Sequence, residues 1–322
     1  MTENGTAERY DAVVVGAGAA GLNAALVLGR ARRRVAVVDA GQPRNAPAAH
    51  LQGFLSRDGM PPAALLAVGR EEVARYGVDL IDGRVEHIEP AGPAELGHTV
   101  QLAGGPVLHA RRVVVATGLR DGLPELPGLA ERWGKDVLHC PYCHGWEVRD
   151  RPLGVLGTGP GSVDLALLLR QWSADVLLLA HTLEPTDAER ERLAARGVRV
   201  VEGRIVRLVA DGGRLRGVEL ANGAVVPREA VFVRPQMVPR DALLFGLDCA
   251  RDDNGWVAVD RTGRTSVPGV WAVGNVVDPR AQVVVAAGMG AAAALDLDHD
   301  LVDEEIGRAV ALCRASGVAL SA

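Results

Sequence analysis

Residues 11–39 read DAVVVGAGAAGLNAALVLGRARRRVAVVD: an apolar run, a glycine turn, apolar positions at helical spacing, and a second apolar run closed by Asp39. An all-apolar run marks a strand buried on both faces and the helical spacing marks an amphipathic helix, so the pattern predicts one βαβ unit. Near residue 154 it returns as LGVLGTGPGSVDLALLLRQWSADVLLLAH, which predicts a second. Between them the chain predicts a helix over 62–76, short strands within 78–88 and 99–115, and a linker loop over 117–134. After the second unit, Thr186 and Glu189 stand at capping-box spacing and open a helix over 187–196 that Gly197 stops. Short strands follow to about residue 234. Beyond Pro239 come a loop, a strand near 269–273 and a helix over 282–297. These last pieces have no sheet of their own, and the first βαβ unit is the one available. The expectation is an α/β protein in which 1–121 and 240–322 build one nucleotide-binding domain and 122–239 is a second, inserted into it.

Composition narrows the field of partners. The chain has 322 residues, 48% hydrophobic and 23% charged, which excludes a disordered polymer. Its formal net charge is −5 and no basic stripe alternates with aromatics, so nucleic acid is not an expected partner. Basic residues are almost all arginine, with Lys135 the only lysine. Four cysteines are too few for a secreted disulfide scaffold, and MTENGTAERY carries no apolar leader core. The most apolar run, 283–295, is too short and too glycine-rich to span a bilayer. A cytoplasmic protein with no membrane partner is expected.

Two places carry chemistry. Gly16, Gly18 and Gly21, with Ala19 and Ala20 between them, form a full GxGxxG between strand and helix, and Asp39 ends the next strand at ribose distance. Glycines let backbone amides approach a pyrophosphate at the helix N-terminus, where the dipole favours anions. The spacing leaves FAD and NAD both open. The second place is His139-Cys140-Pro141-Tyr142-Cys143-His144-Gly145-Trp146-Glu147. Two cysteines separated by two residues can close a small disulfide and act as a redox pair. A c-type haem attachment shares the CxxCH letters but needs export. A zinc site on His139, Cys140, Cys143 and His144 would place four ligands within six residues with no second cluster in sight. A pair of inert buried thiols is disfavoured by the flanking histidines. The redox dithiol is the preferred reading, with no metal.

With GAGAAG and Asp39, Ala116-Thr117-Gly118, the CxxC ahead of a second glycine turn, and Gly269-Val270-Trp271-Ala272-Val273-Gly274-Asn275, the chain resembles a low-molecular-weight thioredoxin reductase over almost its whole length. The resemblance implies two Rossmann-like domains, FAD held by the first, NADPH by the inserted one, and a homodimer. It implies that Cys143 is the flavin-proximal sulfur and that Cys140 exchanges with substrate. It assigns Gly274 and Asn275 to the ribityl chain and phosphates, and Ala281, Gln282 and Val283 to the flavin pyrimidine. Gln42, Arg44, Asn45, His50, Val85, Ala116, Thr117 and Gly118 are assigned to the FAD site on the same ground. Asn275 stands where the family usually has Asp.

Two departures redirect the expectation. His144 replaces the acid that normally follows the second cysteine, and an imidazole there can take protons from a dithiol; a histidine held by a backbone carbonyl is the alternative. In the inserted domain, His181-Thr182-Leu183-Glu184-Pro185-Thr186 stands where the family carries an arginine clamp for the NADPH 2′-phosphate, and Glu184 would repel it. Pro160 removes a donor from the second glycine turn and Ser162 replaces its third small residue. NADPH is therefore not expected. With the string CPYCHGWE, these features resemble the branch that oxidises dithiols of natural products such as holomycin and gliotoxin, passing electrons through CxxC to FAD and on to oxygen. The implied function is an FAD-dependent dithiol oxidase acting on a small-molecule dithiol. The alternatives are an NAD(P)H-dependent reductase of a thioredoxin-like protein, for which Glu184 suits NADH, and a redox-sensing flavoprotein without turnover. Trp146 and Glu147 are candidates for the substrate entrance, and Cys249 and Cys313 read as small hydrophobes.

Overall fold

The computed structural model describes residues 9–91 and 97–316. All but Arg9 and Tyr10 of the decapeptide read for a leader lie outside these. The order begins β1 (Arg9–Val15), α1 (Ala19–Arg30), β2 (Val35–Asp39), α2 (Pro62–Ala74), β3 (Asp79–Asp82), β4 (Val85–Pro90), β5 (His98–Leu102), β6 (Val107–Val115) and β7 (Leu119–Gly122). It continues β8 (Val137–Leu138), α3 (Pro141–His144), β9 (Leu153–Leu156), α4 (Ser162–Leu169), β10 (Val176–Leu179), α5 (Asp187–Ala195) and β11 (Arg199–Val201). The remainder is β12 (Ile205–Asp211), β13 (Arg214–Leu220), β14 (Val225–Pro227), β15 (Ala230–Phe232), β16 (Gln236–Pro239), α6 (Ala242–Gly246), β17 (Val270–Ala272) and α7 (Val283–Ala315). Two compact units emerge: unit 1 comprises 1–44, 63–120 and 239–322, and unit 2 comprises 45–62 and 121–238.

Unit 1 is built on a seven-stranded sheet in the order β3-β2-β1-β6-β5-β4, with β17 also on β6. One edge of β6 pairs with β1 along its length, and the other is long enough to serve two partners. Its first residues lie antiparallel to β5 (Gln101 opposite Val107), and its last run parallel to β17 (Val113 opposite Val270). Side chains alternate across a strand, so the valine runs feed two cores. Val13, Val15, Ala36, Val38, Val113 and Val115 face one, and Ala12, Val14, Val35, Val37 and Val114 face the other, beneath α1 and α7. That two-sided burial is why β1 and β2 read as apolar runs.

Helix α7 corrects the sequence expectation: it runs to Ala315 instead of ending at 297. Nothing after Leu297 stops a helix, and its acids have partners on other elements. Asp298 pairs with Arg33, Asp300 with Arg112 and Arg264, and Glu304 with Arg111 and Arg112. Burial pushes the Asp300 carboxyl up, but hydrogen bonds from Arg264 and Arg112 outweigh it and hold the group below its ordinary value. Among the described residues no helix is long and apolar enough to cross a membrane.

Unit 2 holds a five-stranded parallel sheet, β11-β10-β9-β15-β8, and an antiparallel one, β12-β13-β14. Leu153, Val155, Leu178 and Phe232 pack with α4 on one face; Leu156, Leu177, Leu179 and Val231 pack with Leu208 and Val218 of the smaller sheet on the other. Helix α5 has the expected capping box, the Thr186 hydroxyl accepting from the Glu189 amide and the Glu189 carboxylate accepting from the Thr186 amide. Two differences from the sequence expectation follow from pairing that only the folded chain shows. The loop over 117–134 contains β7, paired with β16. The segment 45–62, read as part of the first domain, packs with unit 2, where Gln52 bonds Glu147.

Candidate active site

In unit 1 the first glycine turn lies at the C-terminal ends of β1, β2, β6 and β17. Gly21 lies against the turn itself: a Cβ there would stand 1.8 Å from the Gly16 carbonyl. Gly18 caps α1 with extended backbone, and a Cβ on it would meet nothing within 4 Å. The turn is thus closed on one side and open on the other, which fits a pyrophosphate drawn to the helix N-terminus. Asp39 accepts from the Ala17 amide at 3.0 Å and from the Arg70 guanidinium. A carboxylate has capacity for further bonds, so a ribose hydroxyl can still be taken. Sequence reading missed Arg70, which comes from α2 and carries no local signal.

The remaining expected cofactor residues of unit 1 gather around this turn. Asn275 donates its amide to the carbonyls of Asp278 and Ala281, 2.9 Å each, and accepts from Arg44 at 3.3 Å. Those two donations need an amide, which an aspartate lacks, and this gives a physical reason for Asn at the position. Arg240 donates to the Gln42 carbonyl at 2.9 Å and Thr117 donates to the Arg240 carbonyl at 2.7 Å, tying 42, 117–118 and 240 together. Gly274 opens a short 3₁₀ turn, Ala281 is buried and Gln282 caps α7, which Val283 begins. Val85 begins β4, registered opposite Leu102, with its side chain in the core. Asn45 and His50 belong to unit 2, as does the CxxC.

Cys140 has extended backbone, Pro141 takes the first helical position, and the single turn α3 follows. The amides of Cys143 and His144 both donate to the Cys140 carbonyl at 3.2 Å. This winds the two cysteines to a Cα separation of 5.2 Å, and they form a disulfide. Gly145 lets Trp172 approach, a Cβ there standing 2.9 Å from the indole, and Tyr142 meets the Trp172 ring edge-on at 5.5 Å. Tyr142 and Trp146 are each 65% exposed, and the Arg149 guanidinium lies 4.0 Å over Trp146. Burial pushes the His144 imidazole below its ordinary value, with the Glu147 carboxylate pulling the other way. The lowering favours the neutral imidazole, the form that can accept a proton. Cys249 is buried and its thiol pushed up by that burial, in keeping with a small hydrophobe.

The second glycine turn of unit 2 differs. Three atoms of the Arg234 guanidinium lie over Gly161, and a Cβ on Gly161 would fall 1.9 Å from Arg234 Nη1. Arg234 lies two residues beyond β15, whose C-terminal end neighbours that of β9, and the apolar run VFV that it follows was the one sign of it in the sequence. Glu184 is exposed and no arginine stands between 181 and 186. The residues from 181 to 186 do not fit an NADPH 2′-phosphate, because the arginine clamp is missing and Glu184 carries a like charge.

The family model described as pyridine nucleotide-disulphide oxidoreductase matches residues 10–291. The crystal structure of HlmI superposes with a TM-score of 0.93 at 62% identity, covering 99% of both chains. Thioredoxin reductase tcpT of Claviceps purpurea is 31% identical over 287 residues, 84% of this chain and 87% of its own. An alkyl hydroperoxide reductase of Pseudomonas putida is 32% identical over 307 residues, 91% of this chain and 58% of its own. The chain spans about half the length of the curated relatives that match it first. It belongs to the pyridine nucleotide-disulphide oxidoreductases, an FAD-binding family, and has the fold of the low-molecular-weight thioredoxin reductases.

Proposed function

We propose that this chain is an FAD-dependent dithiol oxidase that closes a disulfide within a small-molecule dithiol, with oxygen as the final acceptor and no nicotinamide cofactor. The observation that carries this reading is the closed Cys140–Cys143 pair on a one-turn helix ending in His144. The whole-length likeness to HlmI and the guanidinium over the second glycine turn support it. In this reading 1–121 and 240–322 hold FAD through the first glycine turn, Asp39, Asn275 and the start of α7. Residues 122–239 carry the redox pair.

The chain's own groups account for the thiol chemistry. His144 takes the proton of a substrate thiol, and the resulting thiolate attacks Cys140 Sγ. The Cys140–Cys143 bond breaks, Cys143 leaves as a thiolate and recovers the proton from His144. The second substrate thiol then attacks the substrate's own sulfur in the mixed disulfide, and its proton passes to Cys140 as that sulfur leaves, releasing the cyclised product. FAD, when bound, supplies the two-electron acceptor that returns the enzyme dithiol to a disulfide. Exposed Tyr142 and Trp146 give the pair an aromatic rim suited to a small apolar substrate.

The test is an anaerobic titration of the flavin-loaded protein with NADPH, NADH and then a small dithiol, watching flavin absorbance. Bleaching by the dithiol alone, with peroxide on admitting air, is expected. Rapid bleaching by either nicotinamide would instead make the chain a reductase.

A further inference from the structure

Beside the redox pair, unit 2 contains a cleft of about 120 Å³. Its apolar lining includes Leu138 and Val148, and its polar lining is His50, Gln52, Lys135, His144 and Glu147. Two contacts hold the segment 45–62 against the CxxC segment to form it. Gly134, at φ +78°, lies so close to Pro47 that a Cβ would stand 2.7 Å from the Pro47 carbonyl, so only glycine fits. Gln52 Nε2 donates to Glu147 Oε1 at 3.0 Å. Those two residues are 95 positions apart in sequence, and the bond fixes the Glu147 carboxylate at the cleft that His144 also lines.

The other titratable groups at the cleft are His50, from the same segment as Gln52, and Lys135, whose ammonium donates to the Glu131 carbonyl at 3.1 Å. Among the described residues Glu147 is thus the one anion in the cleft's polar lining, and it comes from the same short stretch as the imidazole that receives protons.

We infer that Glu147, oriented by Gln52, is the positioning residue for His144: its carboxylate compensates the charge the imidazole gains while it holds the substrate's proton. This rests on the dithiol-oxidase reading. The proton balance closes without a further reactant. It leaves the substrate S–H for His144 as the new S–S bond to Cys140 forms, and passes to Cys143 as the old S–S bond breaks. A carboxylate on the imidazolium favours the intermediate in that relay and leaves its two ends unchanged.

The rival role for Glu147 is a mechanical tether for residues 45–62, and charge separates the two. Glu147→Gln keeps an oxygen for Gln52 to donate to and removes only the charge; Gln52→Ala keeps the charge and removes the tether. NMR titration of the full flavin-loaded protein, with the His144 signal assigned by its loss in His144→Gln, reads the imidazole directly. Glu147→Gln is expected to lower the His144 midpoint by about half a pH unit, the size expected for an exposed carboxylate. Glu147→Asp should restore it and Gln52→Ala should fall between. The acidic limb of anaerobic dithiol bleaching should move with the midpoint, and the rate at pH 7 should drop by about threefold at most in Glu147→Gln, the factor that half a pH unit represents, with KM unchanged. A His144 midpoint in Glu147→Gln that coincides with the wild-type value overturns the inference. If the midpoint shifts and no dithiol bleaches even the wild type, the pairing stands and it is the oxidase reading that fails.

Discussion

The two glycine turns of this chain can be overlaid by their hydrogen bonds. Gly16 donates to the Val38 carbonyl and Gly157 to that of Leu179, both at 2.8 Å, so Gly16 corresponds to Gly157 and Asp39 to Ala180. From that shared start they diverge. In the first, the helix begins two residues after Ala17, Gly18 faces open space, and Asp39 fastens the Ala17 amide. In the second, α4 begins only at Ser162, its cap Gly161 is left-handed, and Ala180 offers no carboxylate. Arg234 fills the space over Gly161. The same βαβ scaffold thus leaves open space at its turn in unit 1 and has that space filled by a side chain in unit 2, with a later helix start.

The most damaging way to break this contrast is Gly21→Val. Its first added carbon overlaps the Gly16 carbonyl, and we expect unit 1 to lose at least about 3 kcal/mol and the protein to be isolated without flavin, as checked by urea unfolding and the visible spectrum. Gly18→Val should separate cradle from scaffold. Its backbone angles suit any residue and its side chain meets no protein atom, so apo-protein stability should stay within about 0.5 kcal/mol while flavin affinity falls roughly a hundredfold. Equal losses of stability and affinity would show that the turn is merely structural. Arg234→Ala sharpens the contrast from the other side: quenching titrations should detect NADH binding about tenfold tighter than in the wild type, with NADPH still weaker because Glu184 remains. The smallest effect concerns acid. Asp300 and Glu304 titrate below their ordinary values when folded, so the stability they contribute is complete above the ordinary carboxylate range and is lost as pH falls through the depressed values. Flavin fluorescence, which rises on release, should therefore appear in that acidic window at a higher pH in Arg112→Met than in the wild type.

What could be read from the sequence follows the range of each interaction. The GxGxxG, Asp39 and the CxxC were legible because spacing along a strand or a single turn carries their geometry. Arg70 was not, because it reaches Asp39 from a different helix. Arg234 was half legible, visible as the charge that follows an apolar run but silent about the glycine beneath it. The end of α7 was misjudged because its polar continuation depends on arginines of other elements. Residues 45–62 have no periodicity, and only Gly134 and Glu147 reveal where they belong.

The divided edge of β6 has a consequence for biogenesis. Its last valines pair with β17, and the whole of β8 to β16 is translated between the two. A nascent chain therefore finishes the parallel sheet of unit 2 while the central strand of unit 1 still has an unpaired edge, exposed to other chains. Ribosome-bound intermediates should show a protease-resistant inner fragment before the N-terminal region is protected, and a chaperone that shields bare strands would act in that interval.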